Sequence, residues 1–134
     1  MVYKIMIASA KNEHLTTLVN FLNPRGYETV ISTHPETILD KIKLEKPHLV
    51  LLDINMLNQT DIRLLQRIKQ AQPFAQAIVM TERIETKAMS EYFTLGFNDF
   101  LVNPTECLDE TADIVKETCN RICRWEKIAR DLSA

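Results

Sequence analysis

Apolar and polar positions alternate along the chain in blocks. Tyr3 to Ala8 is a short continuous hydrophobic run, the pattern of a strand buried on both faces. A polar stretch follows, in which Asn12 is placed to cap a helix whose apolar residues Leu15, Leu18, Val19 and Leu22 recur at spacings of three and four. Pro24 and Gly26 stop that helix. Thr29 to Ser32 reads as a second strand. Pro35 to Lys46 reads as a second helix with Ile38, Leu39 and Ile42 inward, and Pro47 marks the boundary before the apolar strand HLVLLD. Asp61 to Gln70 carries Ile62, Leu65 and Ile68 at helical spacing, and Ala77 to Met80 is apolar again. Glu85 to Leu95 is helical up to Gly96, and Phe100 to Val102 is a fifth strand.

Strands separated by helical stretches need crossover connections, and right-handed crossovers force a parallel sheet with helices on both faces. The expected fold is therefore a three-layer α/β/α domain, a doubly wound five-stranded parallel sheet. In such a sheet the functional crevice lies at the carboxyl ends of the strands, beside the point where strand order reverses. The residues there are Ser9, Ala10 and Lys11 after the first strand, Asp53 after the third, Thr81 after the fourth, and Asn103 with Pro104 after the fifth.

Composition narrows the function more than the fold. A chain of 134 residues with 46% hydrophobic and 25% charged residues has the makeup of one ordinary globular domain. Its formal net charge of −2 gives no general attraction to nucleic acid or to an anionic membrane. No apolar stretch approaches the ~20 residues of a membrane span or a secretion-signal core, so the cytoplasm is the expected location. Three cysteines, Cys107, Cys119 and Cys123, confined to the last third, do not make a disulfide framework.

Asp53 closes the run Leu49, Val50, Leu51, Leu52, at the rim of the crevice. An aspartate there either stabilises the strand-to-helix loop or attacks a phosphoryl group to form an aspartyl phosphate. The second chemistry needs a divalent cation, a lysine or arginine on the phosphoryl oxygens, and a hydroxyl or amide to hold them. Across about residues 3 to 118 the order of elements and these end residues resemble the receiver domain of two-component response regulators, a CheY-like, flavodoxin-like fold. LVLLDINM is similar to the family's phosphoacceptor strand with Asp53 as acceptor, Thr81 in IVMT to its hydroxyl position, and FNDFLVNP to its final strand, with Phe100 at the aromatic switch position.

Two departures change what the resemblance implies. The family's acidic pair that holds magnesium is replaced by Ser9 and Ala10, followed by Lys11. The lysine of its Lys-Pro dipeptide is Asn103, which donates a hydrogen bond but carries no charge. Asp53 and the backbone carbonyl of Asn55 remain as magnesium ligands, and such a pair predicts weak millimolar binding at best. Lys11 is able to swing toward Asp53 as a substitute cation, or else is a solvated surface lysine; Glu13 and Glu82 read as ordinary surface carboxylates. Thr81 and Phe100 are compatible with a two-state surface. Phe100 has no hydroxyl, so any rearrangement there is read out through packing alone.

After Pro104, residues Glu106 to about Leu132 hold no glycine or proline and predict one helix of roughly 40 Å. Leu108, Ala112, Val115, Cys119 and Ile122 form a heptad seam that Trp125, Ala129 and Leu132 continue after one three-residue skip. The chain accordingly divides into a receiver-like domain, 1–118, and an extension, 119–134, which either frays or acts as a signalling helix. Cys119 and Cys123 read as small packing residues, and His14, His34 and His48 as surface or capping residues.

The functional expectation is a non-enzymatic receiver-like module of a two-component phosphorelay. Its leading form is a pseudo-receiver acting through protein contacts with a histidine kinase, a phosphotransfer protein, an output domain or a second copy of itself, without direct nucleic-acid or membrane contact. The alternatives are a conventional receiver phosphorylated on Asp53, and a flavin or nucleotide carrier on the same architecture. The latter lacks a glycine-rich phosphate loop.

Overall fold

The computed structural model of the chain describes residues 1–57 and 63–133. Its elements run β1 (Lys4–Ala8), α1 (Asn12–Leu22), β2 (Glu28–Ser32), α2 (Ile38–Glu45), β3 (Leu49–Asp53), α3 (Ile54–Leu57), α4 (Leu64–Ala71), β4 (Gln76–Thr81), α5 (Thr86–Leu95), β5 (Asp99–Val102) and α6 (Leu108–Ser133). All strand pairs are parallel, in the order β2-β1-β3-β4-β5. This is the expected doubly wound, flavodoxin-like sheet. The order reverses between β1 and β3, so the crevice opens between Ser9 and Asp53.

Period-two alternation divides the strands between two cores. Met6, Ala8, Val50, Leu52, Ala77, Val79 and Phe100 face α2, α3, α4 and α5, while Ile5, Ile7, Leu49, Leu51, Ile78, Met80 and Leu101 face α1 and α6. Every residue of β3 and β4 is buried, which is why both read as unbroken apolar runs. Gly96 caps α5 at φ +107°, where a side chain would be strained and a Cβ would lie 3.4 Å from Leu65 Cδ1.

Three expectations are revised. Asn12 is the first residue of α1, with Lys11 at the cap position. The turn before α1 is closed instead by Ser9, whose Oγ accepts the Lys11 backbone N–H at 3.1 Å. Asp53 is followed at once by the short α3. The helix expected over Asp61 to Gln70 is seen from Leu64, and residues 58–62, with Ile62, lie outside the described residues.

The third revision is the seam of α6. The fully buried line is Thr111, Val115, Thr118 and Ile122, and Leu108 and Ala112 are only partly covered. Thr111 and Thr118 enter the core because each hydroxyl donates back to a carbonyl four residues earlier, Cys107 O at 3.1 Å and Ile114 O at 2.7 Å. Continued through Trp125, Ala129 and Leu132, this line alternates steps of four and three without the skip. Packing on the body persists beyond residue 118: Cys119 belongs to the core, Ile122 is buried, and the Trp125 ring lies 6.5 Å from that of Phe74. Ile128 and Leu132 are exposed. Among the described residues, no helix is long and apolar enough to cross a membrane.

Candidate functional site

Asp53 ends the fully buried β3 and is itself only 3% exposed. A carboxylate withdrawn that far from water requires hydrogen-bond donors. Among the described residues it has two: Ser9 Oγ donates to Oδ2 at 2.9 Å, and the Asn55 backbone N–H donates to Oδ1 at 2.9 Å. Ser9 is placed by β1, whose neighbours in the sheet are β2 and β3, and its backbone N–H donates to Ser32 O at 3.0 Å. The Ser9 side chain is completely buried, so its single hydroxyl proton is committed to Asp53.

Around this pair lies a cleft of about 320 Å³ lined by Lys11, His14, Asp53, Ile54, Asn55, Thr81, Glu82 and Arg83. His14 sits in the first turn of α1 with Nδ1 3.4 Å from Ser9 Oγ and 3.7 Å from Asp53 Oδ2. Lys11 does not swing toward Asp53. Its Nζ donates to Glu82 Oε1 at 2.9 Å, across the mouth of the cleft. The reason is competition: each Asp53 oxygen already accepts a short hydrogen bond, whereas the Glu82 carboxylate stands free in solvent. Hydrogen bonding to Glu82 raises the Lys11 pKa above the ordinary lysine value, with a smaller attraction from Asp53, and Lys11 in turn lowers that of Glu82.

The remaining predicted positions fall around the cleft rather than in a common ligand shell. Thr81 lines it, but its Oγ1 donates to Arg83 O at 2.7 Å within the β4 to α5 loop. Ala10 is exposed and offers only a methyl group. Asn103 is not among the lining residues. It adopts φ +49°, a left-handed conformation that asparagine tolerates better than most side chains, and its carbonyl accepts from Glu106 N and Cys107 N to launch α6. Phe100 is buried beneath α5, edge-on to Phe93 at 5.0 Å and 6.2 Å from Tyr92. Glu13 is exposed at the start of α1.

A hard dication entering the cleft would meet the Asp53 carboxylate with both oxygens engaged, the Glu82 carboxylate already paired with Lys11, the Ser9 and Thr81 hydroxyls, each with its proton donated elsewhere, and the Asn55 backbone. Magnesium demands near-octahedral oxygen ligation, and this set does not fit it well. Among the described residues, no group of three or more His, Cys, Asp or Glu side chains is disposed to hold a metal.

Of the cleft residues, Glu82 is set aside in the sequence as a surface carboxylate and His14 as a surface or capping residue, and Arg83 is missed altogether. Their one signal is position: His14 falls in the first helical turn after β1, and Glu82 and Arg83 directly follow the strand end at Thr81.

Residues 5–114 match the model of the response regulator receiver domain family. The chain is 30% identical over 114 residues to the sporulation initiation phosphotransferase F of Bacillus subtilis, covering 85% of this chain and 91% of that protein. It is 29% identical over 105 residues to the regulatory protein LuxO of Vibrio vulnificus, where the match spans 78% of this chain and 22% of the longer relative. Among solved structures, a two-component response regulator from Clostridium difficile superposes with a TM-score of 0.78 at 22% identity, covering 90% of this chain and 98% of that one. The chemotaxis protein CheY4 of Vibrio cholerae gives 0.72 at 18% identity, with 86% and 99% covered.

Proposed function

The chain belongs to the response regulator receiver family, and from that premise we propose that it is a pseudo-receiver. It passes a signal by binding other proteins of a two-component pathway, with Asp53 serving as a structural carboxylate and not as a working phosphoacceptor. The observation that carries this reading is the pairing of Asp53 with Ser9: a buried hydroxyl donates to the carboxylate oxygen in the place where the family has an acidic metal ligand. An incoming phosphoryl group is a dianion. Next to Asp53 it needs a cation to offset its charge, yet the Lys11 ammonium is held by Glu82 and position 103 is a neutral asparagine that does not line the cleft.

Magnesium in this reading binds only weakly, through Asp53 and the Asn55 carbonyl, and takes no part in the signal. A flavin or nucleotide is disfavoured because the cleft walls are polar, with Lys11, His14, Glu82 and Arg83 where a ring would need an apolar face. Partners of the receiver type are a histidine kinase, a phosphotransfer protein or an output domain. The exposed Leu132, in line with the buried seam of α6, and the exposed Ile128 beside that line are where an output segment or a second copy would continue the packing.

The test is incubation with a small acyl-phosphate donor and magnesium, followed by intact-mass analysis. No adduct of about 80 Da, the mass of one phosphoryl group, is expected on this chain. An adduct that disappears in Asp53→Asn would overturn the proposal in favour of a conventional receiver.

A further inference from the structure

At the opposite end of the sheet from Asp53, the C-terminal turns of α2 and α4 enclose a groove of about 270 Å³ lined by Lys43, Lys46, Arg67, Gln70 and Ala71. Every polar side chain in that lining is a hydrogen-bond donor, and only the Gln70 amide also carries an acceptor. Among the described residues, none of the three cations forms an ion pair, although the chain as a whole is acidic. Lys41, on the same helix, is engaged with Ile31 O, and Glu45 is taken by Lys4 at 3.0 Å.

Part of this charge complements the carbonyl ends of α2 and α4. Each helix end offers only about half a negative charge, and three full cations exceed that. What remains is an unneutralised donor cluster that would be filled by acceptors from outside. The neighbouring surface narrows the choice. Leu44, adjacent to Lys43 on α2, is 79% exposed, and Ala71 provides an apolar patch of wall. A nucleic acid needs a longer basic track than three side chains. The groove is also smaller than the 300–1,000 Å³ usual for small-molecule sites, and suits a few side chains of an extended segment.

We propose that the α2–α4 groove docks a short acidic peptide segment of a protein partner, its carboxylates on Lys43, Lys46 and Arg67 and an apolar side chain against Leu44. This surface is remote from Asp53, so the proposal stands or falls independently of the pseudo-receiver reading.

Fluorescence polarisation with a labelled peptide of alternating glutamate and leucine tests it. Binding to the full chain should weaken roughly fivefold for each of Lys43→Glu and Arg67→Glu, as expected for losing one solvent-screened charge contact. It should also weaken for Leu44→Ser, and when glutamine replaces glutamate in the peptide. Lys87→Glu, the same change of net charge on α5, should leave it unaltered. All four positions are exposed, and thermal unfolding checks that each variant folds. Absence of binding to the wild type overturns the proposal, as does equal weakening by Lys87→Glu. So does displacement of the peptide by inorganic phosphate at comparable concentration, which would mark a simple anion site, or tighter binding of a DNA oligonucleotide that depends on the same residues.

Discussion

Ser9→Ala isolates the interaction on which the site is built. The substitution removes the hydroxyl that donates to Asp53 Oδ2 at 2.9 Å, and both side chains are out of reach of bulk water. A buried hydrogen bond to a charged acceptor contributes about 1.5–3 kcal/mol, and its loss leaves the acceptor desolvated. His14 Nδ1, 3.7 Å from the same oxygen, is the nearest replacement donor and recovers part of this. The expected cost is therefore about 2 kcal/mol, at the middle of that range. With a urea m-value of about 1–3 kcal/mol per molar, that corresponds to a midpoint lowered by roughly 1 M, read by circular dichroism. Ser9 also accepts the Lys11 N–H, so the decisive number is the double-mutant cycle with Asp53→Ala, where that second contact cancels. In the Asp53→Ala background Ser9→Ala should cost less than about 0.5 kcal/mol, leaving a coupling above 1 kcal/mol. An equal cost in both backgrounds would show that Ser9 does not hold Asp53, and the structural role assigned to the carboxylate would fail.

Two titrating groups give further expectations. His48 Nδ1 accepts the Lys4 backbone N–H at 3.0 Å, and burial lowers its pKa below the ordinary 6.5. A depressed folded-state value contributes stability that is present above pH 6.5 and is lost as pH falls through the folded pKa. His48→Asn, which keeps an acceptor without titrating, should flatten the decline in stability as pH falls below 6.5; an unchanged slope refutes the assignment. Burial pushes the Cys119 thiol up to about 11 from 9.0. The unfolded chain then ionises first as pH rises, so this group withdraws stability progressively above pH 9. In a chromogenic disulfide titration at neutral pH the exposed Cys107 and Cys123 should react at once and Cys119 only on unfolding. Simultaneous reaction of all three would contradict its burial.

Much of this fold was legible because its sheet is covered on both sides. A strand with two buried faces leaves a continuous apolar run, and LVLLD and QAIVMT are runs of that kind. Asp53 and Thr81 could be picked out for the same reason, as the polar residues that end them. The partners of Asp53 were harder to read. Ser9 lies 44 residues away and Glu82 lies 71 from Lys11, and such meetings are fixed by where loops cross the sheet edge, which periodicity does not encode. The seam of α6 was read correctly at Val115, Cys119 and Ile122, but Thr111 and Thr118 were missed for a different reason. Thr111 and Thr118 look polar in sequence, but their hydroxyls are satisfied by carbonyls of the turn just before the helix and of the helix itself, and leave only a methyl for the core.

The central claim, that Asp53 lacks the neighbours needed to receive a cation and a phosphoryl group, is tested most directly by amide NMR titration with magnesium and beryllofluoride. The wild type should be compared with Ser9→Asp/Ala10→Asp/Asn103→Lys. The wild-type signals of Ser9, Asn55 and Thr81 should not approach saturation below about 10 mM magnesium, while the triple variant, with two carboxylates and a lysine returned to the cleft, should show saturable shifts. Saturation of the wild type at submillimolar magnesium, with beryllofluoride shifts reaching Thr81, would contradict the account and make this an ordinary phosphorylatable receiver.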